Sequence, residues 1–96
     1  MRIVYIVSNE NRGKAEDLLK KDETVNRGSI ATRSAASLEI KEDGYFIIYD
    51  GSEEAVKIAD ELLKDLAKRY KKADDVLRIF DAQENSAIEG FGNILG

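Results

Sequence analysis

The chain of 96 residues contains no cysteine, no histidine, no proline and no tryptophan. Without cysteine it can form neither a disulfide nor a thiolate metal site, so the packing of a core must supply its stability. The absence of histidine and cysteine also removes the side chains most used for zinc binding, nucleophilic catalysis and proton transfer near neutral pH. We therefore expect a protein that is not an enzyme, with only carboxylates, lysines and tyrosines available for chemistry.

Long apolar runs are also missing. The apolar segment at residues 3–7 is too short for a membrane span or for the core of a signal peptide. A hydrophobic content of 43% with 35% charged residues is typical of a single compact domain. We expect one cytoplasmic domain over residues 1–96 with no membrane segment, in which residues 82–96 form a tail that can dock on the body.

The net charge of −4 comes entirely from the C-terminal quarter of the chain. Residues 1–72 carry 14 acidic and 14 basic side chains, whereas residues 73–96 carry five acidic side chains and one arginine. Because nonspecific nucleic-acid binding requires a field of lysine and arginine, this distribution argues against a nucleic-acid partner. An acidic end suits a cation or a basic protein surface instead.

The hydrophobic pattern predicts strands and a helix in the first half of the chain. Residues 3–7 are β-branched and aromatic, which is typical of a central strand, and residues 14–21 have the spacing of a short amphipathic helix. Residues 29–33 indicate a further strand. The alternation of polar and apolar residues at 38–41 favours another short strand over a helical turn.

The second half of the chain is predicted to be mainly helical. A turn at Gly44, where glycine can adopt positive φ, precedes a strand at residues 45–49. Ser52 is the predicted N-cap of a long amphipathic helix over residues 53–72. A second helix is predicted at residues 74–81, followed by the glycine-interrupted tail.

Together these elements predict an α+β fold, a two-layer sandwich in the order βαββ(β)α with a short C-terminal helix or tail. Its helices lie on one face of a mostly antiparallel sheet. The template is the split βαβ unit of ferredoxin-like domains. In composition the chain resembles small conserved uncharacterised α+β proteins of thermophilic archaea, with acid–base helix pairs, one glutamine and a single methionine.

Basic residues in two segments are candidates for an anion site. Arg12 and Lys14 lie in residues 9–14, predicted as the loop that leads into the first helix, where backbone amides attract anions. Arg33 lies among hydroxyl residues that can recognise a phosphate or carboxylate. A solvated turn and a solubilising charge on an edge strand are the alternatives. Residues 46–56 also resemble the end of a KH-like RNA-binding domain, although the chain lacks that family's GXXG clamp.

Carboxylates near the C-terminus suggest a divalent-cation site. Asp81, Gln83 and Asn85 resemble the first ligands of an EF-hand loop. Ser86 and Gly92 replace the glycine and the bidentate glutamate that such a loop needs, so only an irregular Ca²⁺ or Mg²⁺ site is compatible with the pattern. Its candidate ligands are Asp74, Asp75, Asp81, Glu84 and Glu89. Solvated surface carboxylates are the alternative, in which case the protein has no cofactor.

Apolar residues in the tail recur at three- and four-residue spacing and predict a docking face. They are Ile88, Phe91, Ile94 and Leu95. Residues 85–92 resemble the sliding-clamp-binding box found near chain ends, with Asn85 in place of the usual glutamine and Gly92 in place of the second aromatic residue. The alternative is that the tail folds back over its own sheet.

The leading hypothesis is a non-enzymatic protein-binding or self-assembling module that uses an apolar face and the C-terminal tail. Under this hypothesis the protein forms a homo-oligomer or binds a protein partner. Cation binding by the acidic C-terminal part, and binding of a small anion, a nucleotide or RNA at residues 9–14 and Arg33, are the alternatives.

Overall fold

The computed structural model describes the backbone of residues 1–95 and the side chains of residues 1–85. The described residues form four strands: β1 (Arg2–Val7), β2 (Ser29–Ser34), β3 (Tyr45–Asp50) and β4 (Ala67–Arg69). Three α-helices accompany them: α1 (Asn9–Lys21), α2 (Glu53–Leu63) and α3 (Ala73–Leu95). Two short 3-10 helices, Val25–Arg27 and Ala36–Leu38, stand before and after β2.

The strands form one antiparallel sheet in the order β2-β3-β1-β4. β3 lies between β1 and β2, and β1 lies between β3 and β4, so each half of the chain is a split βαβ unit. The predicted α+β class is therefore confirmed. The sheet has β2 and β4 as its edges, which makes the strand that carries Arg33 an edge strand.

Side chains of β1 alternate between two apolar cores, as the period of a strand requires. The core between the sheet and the first two helices includes Ile3, Tyr5, Val7, Leu19, Ile47, Tyr49, Val56 and Leu63. The core on the opposite face contains Val4, Ala35, Leu38, Phe46, Ile48 and Val76. α1 and α2 thus form the predicted helical layer, and the first turns of α3 cover part of the other face.

The helix predicted over residues 53–72 is shorter than expected. α2 begins after its predicted N-cap, where the Ser52 hydroxyl accepts a hydrogen bond from the Ala55 amide at 3.1 Å, and it ends at Leu63. Residues 67–69 instead form β4, antiparallel to β1, with Ile6 opposite Lys68. The extension to residue 72 was wrong because β1 needs a partner for its backbone groups on this side.

Two predictions for the first half of the chain were also wrong. Residues 9–14 are the first turns of α1 rather than a loop, because the Ser8 hydroxyl caps the helix by accepting from the Asn11 amide at 3.2 Å. Residues 38–41 form no strand, since β2 itself pairs with β3 and the segment between them includes a 3-10 helix. The glycine turn is confirmed by a φ of 102° at Gly44.

α3 is longer than the predicted helix at residues 74–81. Its backbone runs from Ala73 to Leu95 and includes residues that were expected in a tail. Among the residues that the structure describes, no helix combines the length and the hydropathy that crossing a bilayer requires.

Candidate functional site

A cleft of about 620 Å³ opens on the sheet face that carries α3. Three parts of the chain surround it: residues 40–42 before β3, residues 68–72 at the end of β4, and the first turns of α3. Ile6 of β1 is at its base, together with Ile40, Tyr70 and Ile79. The volume falls within the range of ~300–1,000 Å³ that is typical of sites for small ligands.

Pairing between β4 and β1 positions one wall of this cleft. After β4 the Tyr70 amide donates a hydrogen bond to the Val4 carbonyl at 3.0 Å, which keeps the chain beside the sheet. The Tyr70 ring then packs edge-on against Phe46, with ring centroids 4.8 Å apart. Residues 71 and 72 follow immediately and therefore lie at the rim.

The opposite wall is formed by a tight turn after the second 3-10 helix. Glu39 adopts the left-handed conformation with φ of 58°, which reverses the chain. The Ile40 amide then donates to the Ala35 carbonyl at 3.0 Å, and the Glu42 amide donates to the Ile40 carbonyl at 2.9 Å. These bonds hold Ile40 toward the apolar core and leave Lys41 and Glu42 exposed at the cleft.

The cleft is basic although the chain as a whole is acidic. Its lining includes two carboxylates, Glu42 and Asp75, and five cationic side chains: Lys41, Lys68, Lys71, Lys72 and Arg78. Arg69 also borders the cleft, but its guanidinium lies on the opposite face of the sheet, beside Tyr5. Arg69 pairs with Asp60 at 2.8 Å, and Arg78 pairs with Asp75 at 3.4 Å. The four lysines form no ion pair with another side chain of residues 1–85, so their charge faces the cleft and solvent.

Tyr70 is half-buried between the apolar base and the charged rim. Its partial burial, together with the neighbouring Glu42 carboxylate, raises the pKa of the Tyr70 hydroxyl above its ordinary value. The hydroxyl is therefore neutral at physiological pH and can donate or accept a hydrogen bond. A cationic rim, an apolar base and a neutral hydroxyl together suit a ligand with an anionic group and an apolar body.

The sequence-predicted anion residues do not come together. Arg12 stacks over the Tyr45 ring at 4.3 Å on the face covered by α1, and Lys14 is exposed on the same helix. Arg33 lies on the opposite face, where it pairs with Glu84 at 2.9 Å and stacks over Phe80 at 5.1 Å. Both arginines therefore contact side chains of the protein itself, and they lie on opposite faces of the sheet.

Most of the predicted cation ligands are engaged by arginines. Asp81 accepts two hydrogen bonds from Arg2, at 2.8 and 2.9 Å, and these hold the pKa of Asp81 below its usual value. Glu84 and Asp75 pair with Arg33 and Arg78, and Asp74 is exposed on the first turn of α3. Within residues 1–85 no group of three or more acidic side chains could hold a metal ion.

The remaining predicted residues are Glu89 and the four apolar residues of the docking face, Ile88, Phe91, Ile94 and Leu95. They lie outside the part of the chain whose side chains are described. Their roles in metal binding and in partner binding therefore stay predictions.

Sequence reasoning missed the cleft although a signal was present. Residues 68–72 read Lys-Arg-Tyr-Lys-Lys, an aromatic residue among four cations. In the helix predicted over residues 53–72, these cations would form a basic C-terminal end, which the helix dipole favours. The break at Leu63 and the strand that follows turn the same residues into one wall of a cleft. No family model, no curated protein and no solved structure matches this chain.

Proposed function

We propose that the protein is a non-enzymatic binding module whose basic cleft holds a small anionic ligand with an apolar body. The observation that carries this proposal is the lining of the cleft: five cationic and two acidic side chains surround three isoleucines and a tyrosine. This concentration of positive charge contrasts with a net charge of −4 for the chain.

The rim and the base contribute differently to binding. Exposed lysines in water each add only a modest attraction, which salt screens over about 10 Å. They raise the local concentration of anions and orient the ligand. Burial of the ligand's apolar part against Ile6, Ile40 and Ile79 supplies the larger favourable term, about 25 cal/mol for each Å² removed from water.

The probe for this proposal is 8-anilinonaphthalene-1-sulfonate, a fluorescent anion with an apolar body. Titration of the folded protein should give saturable binding of one dye, with affinity that falls as salt is added. The double variant Lys71→Glu/Lys72→Glu reverses two rim charges, and we expect it to weaken dye binding by about tenfold or more.

A matched control reverses two exposed lysines at the end of α1, on the other face of the sheet: Lys20→Glu/Lys21→Glu. It changes the net charge by the same amount, so we expect dye affinity close to that of the unmodified protein. Equal affinities in all three proteins would overturn the proposal. Near-ultraviolet circular dichroism verifies that each variant keeps its folded core.

A further inference from the structure

We infer that the ligand of the basic cleft is a nucleoside phosphate, an inference that rests on the proposed function and names its ligand class. Three chemical features meet in the cleft: a cationic rim, an aromatic and aliphatic base, and an acidic side chain at the edge. A nucleoside phosphate matches each of these features. Its phosphate suits the cationic rim, its flat nucleobase suits the apolar floor of the cleft, and the N–H and O–H groups of its nucleobase and ribose can donate to the acidic side chain.

The cationic rim is the phosphate part of the site. Lys71 and Lys72 follow Tyr70 directly, and Arg78 lies in the second turn of α3. Lysine binds phosphate as a mobile point charge, whereas arginine binds it through a planar set of donors. Arg78 is only loosely held by Asp75, at 3.4 Å and with both side chains largely exposed, so it can turn toward a phosphate.

The apolar base of the cleft suits a flat ring. Tyr70 is held by its edge-on contact with Phe46, and Ile40 and Ile79 pack against the same core. Aromatic and aliphatic side chains that a core holds in place form a surface on which a nucleobase can stack. Such stacking does not depend on which hydrogen-bond donors and acceptors the nucleobase carries. A short inorganic anion would leave this surface exposed to water.

Glu42 distinguishes a nucleoside phosphate from a simple apolar anion. Its side chain is exposed at the cleft and forms no ion pair with a described residue, while lysines stand on either side of the opening. A carboxylate so placed repels a ligand that offers only negative charge. It accepts hydrogen bonds from a ligand that also offers N–H or O–H groups.

Competition against the sulfonate dye tests the inference. We expect GMP and AMP to displace the dye at concentrations at least tenfold below those required of ribose 5-phosphate or pyrophosphate. Glu42→Gln should weaken nucleotide binding by about fivefold, because a charged acceptor with two oxygens is replaced by a neutral amide with one acceptor oxygen. The same variant should leave pyrophosphate binding unchanged or stronger, since a negative charge has been removed.

Opposite responses of the two ligands to Glu42→Gln are the signature of the inferred contact. If all four anions compete in proportion to their charge, and Glu42→Gln strengthens each of them alike, the nucleoside inference is overturned while the anion-binding function stands. If dye binding itself does not depend on Lys71 and Lys72, the proposed function fails. Because Glu42 is exposed, we expect Glu42→Gln to keep the fold, so a change in affinity reports on the ligand contact.

Discussion

The Tyr49 hydroxyl shows how a single residue joins two elements of the fold. Tyr49 is fully buried, and its hydroxyl donates to the Val25 carbonyl at 2.7 Å, joining β3 to the 3-10 helix before β2. Gly28 and Gly51 flank the ring, and a Cβ at either position would collide with it. The ring is therefore tightly enclosed, and its hydroxyl shares the Val25 carbonyl with the Gly28 amide, which donates at 3.0 Å.

We predict that Tyr49→Phe destabilises the fold by about 0.5–1.5 kcal/mol, since the Val25 carbonyl loses one of its two donors and keeps only the Gly28 amide at 3.0 Å. Tyr45→Phe is the control. It lies on the same strand, and among the described residues its hydroxyl forms no hydrogen bond, so the free energy of unfolding should change by less than about 0.5 kcal/mol. Urea unfolding of both variants measures the difference, and equal losses would contradict the assigned role of the Val25 contact.

Asp60 receives donors from two directions. Arg69 donates to both carboxylate oxygens at 2.8 Å, and the Tyr5 hydroxyl donates at 2.6 Å. The Arg69 bonds, assisted by Tyr5, lower the pKa of Asp60 despite its partial burial. Burial and the same hydrogen bond raise the pKa of Tyr5, so the tyrosine keeps its proton and acts as a donor.

A depressed folded-state pKa stabilises the fold above the unfolded-state pKa, and this contribution is lost as pH falls through the folded value. We therefore predict that Asp60→Asn flattens the decline in unfolding free energy between about pH 5 and pH 2. Urea unfolding across that range provides the measurement. A pH profile parallel to that of the unmodified protein would show that Asp60 titrates normally.

At the scale of elements, β4 shows how tertiary contacts can override a helical pattern. Apolar residues 56, 59, 62, 63, 66 and 70 have helical spacing, and neither glycine nor proline interrupts them. Continuing α2 would nevertheless leave one side of β1 without backbone partners. Pairing along Tyr5, Ile6 and Val7 satisfies those groups and also brings Arg69 to Asp60.

We predict that Arg69→Ala weakens β4 specifically. Both partners are about half exposed, so the cost to global stability should be about 1 kcal/mol or less. The Tyr70 amide, which bonds to the Val4 carbonyl, should exchange with solvent several times faster. Lys68→Ala is the control on the same strand, because its side chain pairs with no carboxylate of residues 1–85. Equal exchange in both variants would show that the ion pair does not hold the strand.

α3 is fastened to the sheet by polar contacts around an apolar centre. Val76 is fully buried against the sheet, and Phe80 packs at the edge of the same core. Arg2 and Arg33 reach from β1 and β2 to Asp81 and Glu84. The two carboxylates lie on consecutive turns of α3. The sequence suggested them as metal ligands, but in the fold each is the partner of an arginine.

At the scale of the whole molecule, self-association through the C-terminal segment stays a prediction. The backbone of α3 is helical through Leu95, so residues spaced by three and four along it share one side of the helix. Removal of residues 86–96 should lower the mass measured by light scattering if that segment joins two copies. Unchanged mass with unchanged thermal stability would contradict self-association, and a loss of stability alone would show that the segment belongs to the chain's own core.

Features that depend on near neighbours along the chain could be predicted from the sequence alone. The central strand at residues 3–7, the glycine turn before β3, the cap at Ser52 and the α+β class all follow from local periodicity and capping. These signals are readable because backbone conformation and side-chain alternation act over a few residues.

Features that join distant residues became visible only in the folded chain. β4 pairs with the side of β1 that β3 leaves open, and Arg33 meets Glu84 across 51 positions of sequence. The cleft likewise combines Ile6, Glu42, Tyr70 and Arg78, which no spacing pattern connects. The order of the strands and the face that each helix covers determine which charges are paired and which face a ligand. Long-range packing determines both the strand order and the helix positions.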